Sequence, residues 1–260
     1  MKEHSSLQAL ISRIVENFFC NNLIYWVLYS QGGTMSNIRL KDLDFSYGKE
    51  KILGPLNIEL QGQIIGIFGW NGCGKSTLLK LICGILQPKQ GKILYPSGFS
   101  KEDLAFMPQK DVLFPKMTVL ENLLLWTDEK EENLISNIKA GYLSQLNLFD
   151  FINKKTSTLS GGMRKRVSLA TVLLQKPKII LLDEPFSELD LKHRKWLKDF
   201  IYDFSKFGKV LITSHDGEGF STCDKRYGII KGKIYELRSQ RFEELEEEIE
   251  FIEEDNKNER

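Results

Sequence analysis

Four residues at fixed spacing, Gly69, Gly74, Lys75 and Ser76, raise the question of what chemistry this chain can do. They lie in GIFGWNGCGKSTLLKLICGIL, from Gly66 to Leu86. An apolar run, IIGIF, precedes them and a helix-periodic run follows, which is the setting a phosphate-cradling loop requires. The glycines let backbone N–H groups turn toward phosphate oxygens with no side chain in the way. The helix that starts near Lys75 adds the positive end of its dipole. Lys75 would reach the β- and γ-phosphates of a triphosphate, and the Ser76 hydroxyl would ligate Mg²⁺. The bland alternative is a glycine-rich strand–helix turn that binds nothing.

A second element must hold the metal and water. IILLDEP supplies it, because four apolar residues bring Asp183 to a strand end as the outer magnesium ligand. Glu184 follows as a candidate acceptor for the proton of an attacking water. Paired acids after a strand often do no more than cap the next helix, so this reading leans on the loop beside it. A third stretch, LSGGMRKR (Leu159–Arg166), sets Ser160, Gly161 and Gly162 ahead of another helix. Their N–H groups form a second anion site at a helix N-terminus. Two such sites on one chain cannot serve a single triphosphate. Cys73 lies inside the loop, where a helix N-terminus is expected to lower its thiol pKa, and a small residue that simply fits is the plainer reading.

Taken together, GWNGCGKST, LLDEP and LSGGMRKR resemble the nucleotide-binding subunit of ATP-binding cassette (ABC) transporters, over about residues 37–236. The resemblance implies an α/β fold of P-loop NTPase type. Its parts are a mixed β core sheet, an antiparallel β subdomain and an α-helical insertion at about 110–165. It implies a head-to-tail dimer of two copies with two ATP between them, the signature Ser160, Gly161 and Gly162 of one closing on the γ-phosphate held by the other. It assigns the phosphates to Gly69, Trp70, Asn71, Gly72, Cys73, Gly74, Lys75, Ser76 and Thr77. Tyr47 becomes the ring that stacks on adenine, although a strand tyrosine by itself is more often core. Gln109 becomes the residue that senses magnesium and water, Asp190 the residue that communicates across the dimer, and His215 the histidine that contacts γ-phosphate. Two positions depart from the pattern, Met163 where glutamine is commonest and Glu188 where a small residue is usual. The catalytic set, Lys75, Gln109, Glu184 and His215, is intact, as are the metal positions Ser76, Gln109 and Asp183, so ATP hydrolysis is expected.

The partners implied are transmembrane permease subunits and, for an importer, a solute-binding protein. The motifs look like bacterial importers of nitrate, sulfonates, taurine or thiamine precursors. Export of peptides, haem or drugs is the alternative reading, and an ABC ATPase that moves nothing is the rival of another class. Such a subunit sits on the cytoplasmic face of the membrane.

The elements that must position these residues are legible as period. At 260 residues the chain can bury a sizeable core. KIILLDEP and KVLITSHD read as short, wholly apolar strands that end in acids or histidine, as buried parallel strands do. Residues 118–155 read as helical. A formal net charge of +1 provides no global basic field for nucleic acid. Four cysteines without a C-x-x-C pair argue against a disulfide framework or zinc site and fit a reducing cytosol. No run reaches the roughly 20 apolar residues that span a bilayer. Residues 1–34 carry apolar positions at helical spacing, from Leu7 to Phe19. They read either as a translated leader ahead of a start at Met35 or as an amphipathic helix. The acidic end, 241–260, reads as a short exposed helix that frays.

Overall fold

A computed structural model describes residues 37–99, 101–140, 143–206 and 208–258. The readings of residues 1–34, and of a start at Met35, lie outside the described residues. Two sheets organise the rest. Strands β1 (Ile38–Tyr47), β2 (Glu50–Leu60) and β4 (Gln90–Leu94) form an antiparallel sheet in the order β2-β1-β4. The larger sheet takes β3 (Ile64–Phe68), β5 (Leu104–Met107), β6 (Ile179–Asp183), β7 (Lys209–Thr213), β8 (Lys225–Ile230) and β9 (Lys233–Glu236), in the order β5-β6-β7-β3-β8-β9. All its pairings are parallel except β8–β9.

Strands β3, β6 and β7 are buried at every residue, which is why they read as apolar runs without alternation. The pleat still divides them. Ile64, Phe68, Ile180, Leu182, Val210 and Ile212 face one core, and Ile65, Ile67, Ile179, Leu181 and Leu211 face the other. The second core lies between the two sheets around α1 (Lys75–Ile82), with Leu78, Leu79 and Ile82 fully buried. The first continues into the helices α2 (Val119–Leu124), α3 (Glu131–Ala140) and α4 (Gly161–Leu174), which lie in the chain between β5 and β6.

The stretch 118–155 is less helical than its periodicity suggests. It holds two short helices, and then 3-10 turns at Ser144–Leu146 and Phe149–Phe151. Helix α2 begins at a capping box, in which the Thr118 hydroxyl accepts from the Glu121 N–H while the Glu121 carboxylate accepts from the Thr118 N–H. Asn122, one turn further on and 1% exposed, holds the preceding loop. Its carboxamide accepts from Phe114 N at 2.7 Å and donates to Phe114 O at 3.1 Å and Thr118 O at 2.9 Å.

Beyond the sheet, α5 (Leu191–Ser205) and α6 (Gly217–Thr222) flank β7, and α7 (Leu245–Asn258) follows β9. The last is the helix its sequence suggests, exposed along most of its length but anchored at two points. Leu245 and Ile249 are buried, and the Glu248 carboxylate accepts from the N–H groups of Arg238 and Ser239. Burying two branched aliphatic side chains contributes about 1.5–3 kcal/mol each, enough to hold an acidic helix against the domain.

Replacing Asn122 by Ala leaves the Phe114 N–H without its acceptor, while the Phe114 and Thr118 carbonyls keep backbone donors. The expected loss is about 1–3 kcal/mol of stability, read as a lower urea midpoint at unchanged slope.

Candidate functional site

The carboxyl ends of β3, β6 and β7 lie side by side, because Ile67 pairs with Thr213 and Thr213 pairs with Asp183. That register gathers the loop after β3, the acids ending β6 and the histidine after β7 at the carboxyl ends of the parallel strands, where α/β folds bind ligands.

The loop needs its glycines for shape. Gly69 has φ 138°, and a side chain there would stand 2.6 Å from the Ile229 carbonyl oxygen. Gly74, the N-cap of α1, has φ 111°, and a Cβ would stand 2.8 Å from Leu53. Lys75 is buried, and its Nζ folds back across the loop to donate to Gly69 O at 2.8 Å and Trp70 O at 3.4 Å. Thr77 is buried behind it, while Trp70 is 45% exposed.

Ser76 Oγ donates to Asp183 Oδ1 at 3.0 Å, and the same oxygen accepts from Thr213 Oγ1 at 2.6 Å. The Thr213 hydroxyl oxygen also accepts from Glu184 N at 3.0 Å. Glu184 adopts φ 50°, and this left-handed backbone turns its carboxylate to His215, with Oε2 at 2.7 Å from Nδ1. The carboxylate is nearly buried while the imidazole is exposed, so the imidazole stands between the acid and solvent. Lys75, Ser76, Asp183, Glu184 and His215 are thus brought to one place.

The other sequence-derived positions stand apart. Tyr47 is not core: it is 47% exposed, with its ring edge-on to Phe45. Gln109 is exposed, and its carbonyl accepts from Lys165 at 3.4 Å. Asp190 caps α5, where its Oδ1 accepts from His193 N at 2.9 Å and lies 2.7 Å from His193 Nδ1. Those hydrogen bonds hold its carboxyl below the usual range. Ser160 caps α4 through a bond from Met163 N, and among the described residues the Gly161 and Gly162 N–H groups have no acceptor. Glu188 has φ 63° and rests its carboxylate against Gly161, where a Cβ would lie 2.8 Å from Oε2.

One expectation is overturned. Burial raises the Cys73 thiol pKa and outweighs the lowering by Lys75 and the backbone N–H groups, so Cys73 is not an activated thiolate. Its sulfur is tucked against Gly69.

Three residues support the site although the sequence motifs assign them no role. Thr213 is one. Asp111 is another: its carboxylate accepts from Arg164 Nε at 3.0 Å and Ser168 Oγ at 2.9 Å, tying the segment after β5 to α4. Lys165, 6% exposed, is the third, and its Nζ reaches Glu184 O at 3.2 Å. Burial pushes its pKa down, against the opposing pull of Asp111, Glu188, Asp183 and Glu184. The only signal available was a lysine at a position of α4 that helical spacing sets on the inner face.

Known proteins give the constellation its relatives. The family model described as "ABC transporter" matches residues 55–187, just over half of the chain. This chain belongs to the ABC transporter family. Among relatives of the ABC domain, an uncharacterised ABC transporter ATP-binding protein of Bacillus subtilis is 35% identical over 189 residues, covering 68% of this chain and 72% of the relative. The spermidine/putrescine import ATP-binding protein of Fusobacterium nucleatum is 33% identical over 217 residues, 77% of this chain and 57% of its own length. The chain spans 57%, 62% and 66% of three import ATP-binding relatives that it matches. In structure, the ABC domain superposes on an ATP-binding subunit of an ABC transporter with TM-score 0.72, at 23% identity, over 84% of this chain and all of that one. That likeness establishes the ABC ATPase fold, and the family establishes ATP as the nucleotide.

Because burial raises the Cys73 pKa above an ordinary thiol's, alkylation of Cys73 is expected to be slow at pH 7. It should accelerate about tenfold per pH unit through pH 9, as the thiolate fraction grows. Maleimide labelling followed by peptide mass spectrometry reads this, with ATP slowing it. A rate already at its plateau near pH 7 would show the opposite shift.

Proposed function

We propose that this chain hydrolyses ATP as the motor subunit of a membrane transporter. The observation that carries the reading is the Glu184–His215 pair standing beside the bonded set Ser76, Asp183 and Thr213, next to the Lys75 loop. Lys75 and the loop N–H groups from Gly69 to Thr77 hold the phosphates, and Tyr47, exposed at the end of β1, stacks on adenine. Glu184 takes the proton of the attacking water, and His215 orients that water and the γ-phosphate. Preorganised donors around the phosphoryl oxygens stabilise the charge that moves in the transition state.

Magnesium fits the oxygens present. A serine hydroxyl beside one carboxylate is the sparse protein set this ion uses when substrate phosphates and water complete its shell. Ser76 and Asp183 would hold it, with Gln109 drawn in from the segment after β5. When bound, it offsets the negative charge of the β- and γ-phosphates.

The Ser160–Gly162 amides have no acceptor within the described chain, which supports a head-to-tail dimer. In it, each signature meets the ATP held by the other copy, and Asp190 communicates across the seam. Val112, Phe114, Leu125 and Trp126 are exposed apolar residues of the segment that runs from Gln109 through α2. That patch supports docking of the cytoplasmic helices of permease subunits, and so a place on the cytoplasmic face of the membrane. No helix among the described residues is long and apolar enough to cross a membrane. Relatives described as import ATP-binding proteins, for spermidine/putrescine, ferric ions and sulfate/thiosulfate, favour import of a small solute. A solute-binding protein would then deliver the cargo.

Glu184→Gln is expected to lower kcat by about 10²–10⁴-fold and to trap an ATP-loaded dimer on size-exclusion chromatography. Lys75→Ala should abolish the ATP-dependent change in Trp70 fluorescence. A Glu184→Gln protein that stays monomeric with normal turnover would refute the assignment.

A further inference from the structure

The residue with most to reveal is Lys165. It lies on α4, four residues after Gly161, so helical spacing sets it on the same side of the helix as the signature's first glycine. Its side chain is nearly inaccessible, and its Nζ donates to groups of three separate positions: Gln109 O at 3.4 Å, Glu184 O at 3.2 Å and Ser187 Oγ at 3.5 Å. A buried ammonium is retained in a fold only where it is well supplied with acceptors.

The Glu184 carbonyl is the telling partner. Glutamate in the left-handed region costs roughly 1–2 kcal/mol and persists only where the surroundings over-determine it. Here its N–H donates to Thr213 O at 3.2 Å and Thr213 Oγ1 at 3.0 Å. Its carbonyl accepts from Ser187 Oγ at 2.7 Å and from Lys165. The peptide is pinned on both sides, and Lys165 is the one charged clamp. It is also the clamp that belongs to the signature helix.

We propose that Lys165 is a positioning residue that holds the Glu184 backbone in its strained turn and so ties the aim of that carboxylate, and the Gln109 segment, to the position of the signature helix. The proposal rests on the hydrolytic reading of Glu184. It carries a mechanical corollary. When the N-terminus of α4 closes on a nucleotide held by a second copy, the ammonium moves with the helix. The base in the same chain is then aligned by an event at the other site. Asp111, which accepts from Arg164 and Ser168, carries the same helix's motion to the segment after Gln109.

The test is a kinetic split in the full chain. Lys165→Met keeps the length and apolar stem and removes the donor. It is expected to lower kcat for ATP hydrolysis by about 10–100-fold, with KM and the Trp70 fluorescence response to ATP within about twofold. Lys165→Gln retains a donor and should recover part of that loss. Ser187→Ala removes the companion bond, and its effect combined with Lys165→Met should be non-additive. Should the methionine variant fail to fold, Lys165→Gln and Ser187→Ala still decide, each expected to lower kcat by about 3–10-fold at unchanged KM. Unchanged kcat in these folded variants, or a loss in ATP binding equal to the loss in turnover, would overturn the positioning role. Absence of hydrolysis in the unmodified chain would instead overturn the hydrolytic reading on which it stands.

Discussion

One hydroxyl, that of Thr213, is the junction on which the site's geometry depends. It donates to Asp183 and accepts from the N–H of Glu184, so two consecutive acids are anchored to a neighbouring strand at a single atom. The anchor works because β6 and β7 are adjacent and parallel, with Asp183 paired to Thr213. In a fully buried pair of strands a register slip would turn every side chain to the wrong core. The apolar packing of Ile180, Leu182, Val210 and Ile212 therefore sets the position of the carboxylates as firmly as any polar contact.

The parts of this arrangement that travel as local strings were legible in the sequence. Gly69 to Ser76, Asp183-Glu184, Ser160 to Gly162 and His215 each sit at a strand end or helix start, where the backbone itself presents the group. The buried β3, β6 and β7 were legible for the same reason, as short apolar runs. Thr213, Asp111 and Lys165 were not, because each matters only through a partner 19 to 57 residues away, and nothing in a linear pattern specifies which face meets which. Cys73 misled in the opposite way. Its place before a helix argues for a stabilised thiolate, but desolvation, a property of packing, dominates. From Leu245 onward the acidic composition suggested a solvated helix, and the helix is there, held to the domain by two buried aliphatics whose partners composition does not reveal.

Glu188 illustrates how a departure from a family pattern becomes a physical statement. Where a small residue is usual, this chain accepts a left-handed glutamate whose carboxylate lies over the first glycine of α4. Negative charge at a helix N-terminus is favourable by some tenths of a kcal/mol. The turn from Glu184 to Glu188 thus has a left-handed residue at each end, with Lys165 beneath one and Gly161 beside the other. The acids and the signature helix are one connected unit.

The packing of the last helix has a consequence for the site. Phe242, just before α7, lies against Gly217 and meets Phe220 edge-on. Asp216, the cap of α6, directly follows His215 and is bridged to Arg194 of α5. The acidic helix is therefore joined to the histidine through an aromatic ring and one short helix. The acidic helix and the histidine that follows β7 thus stand at the two ends of one packed path.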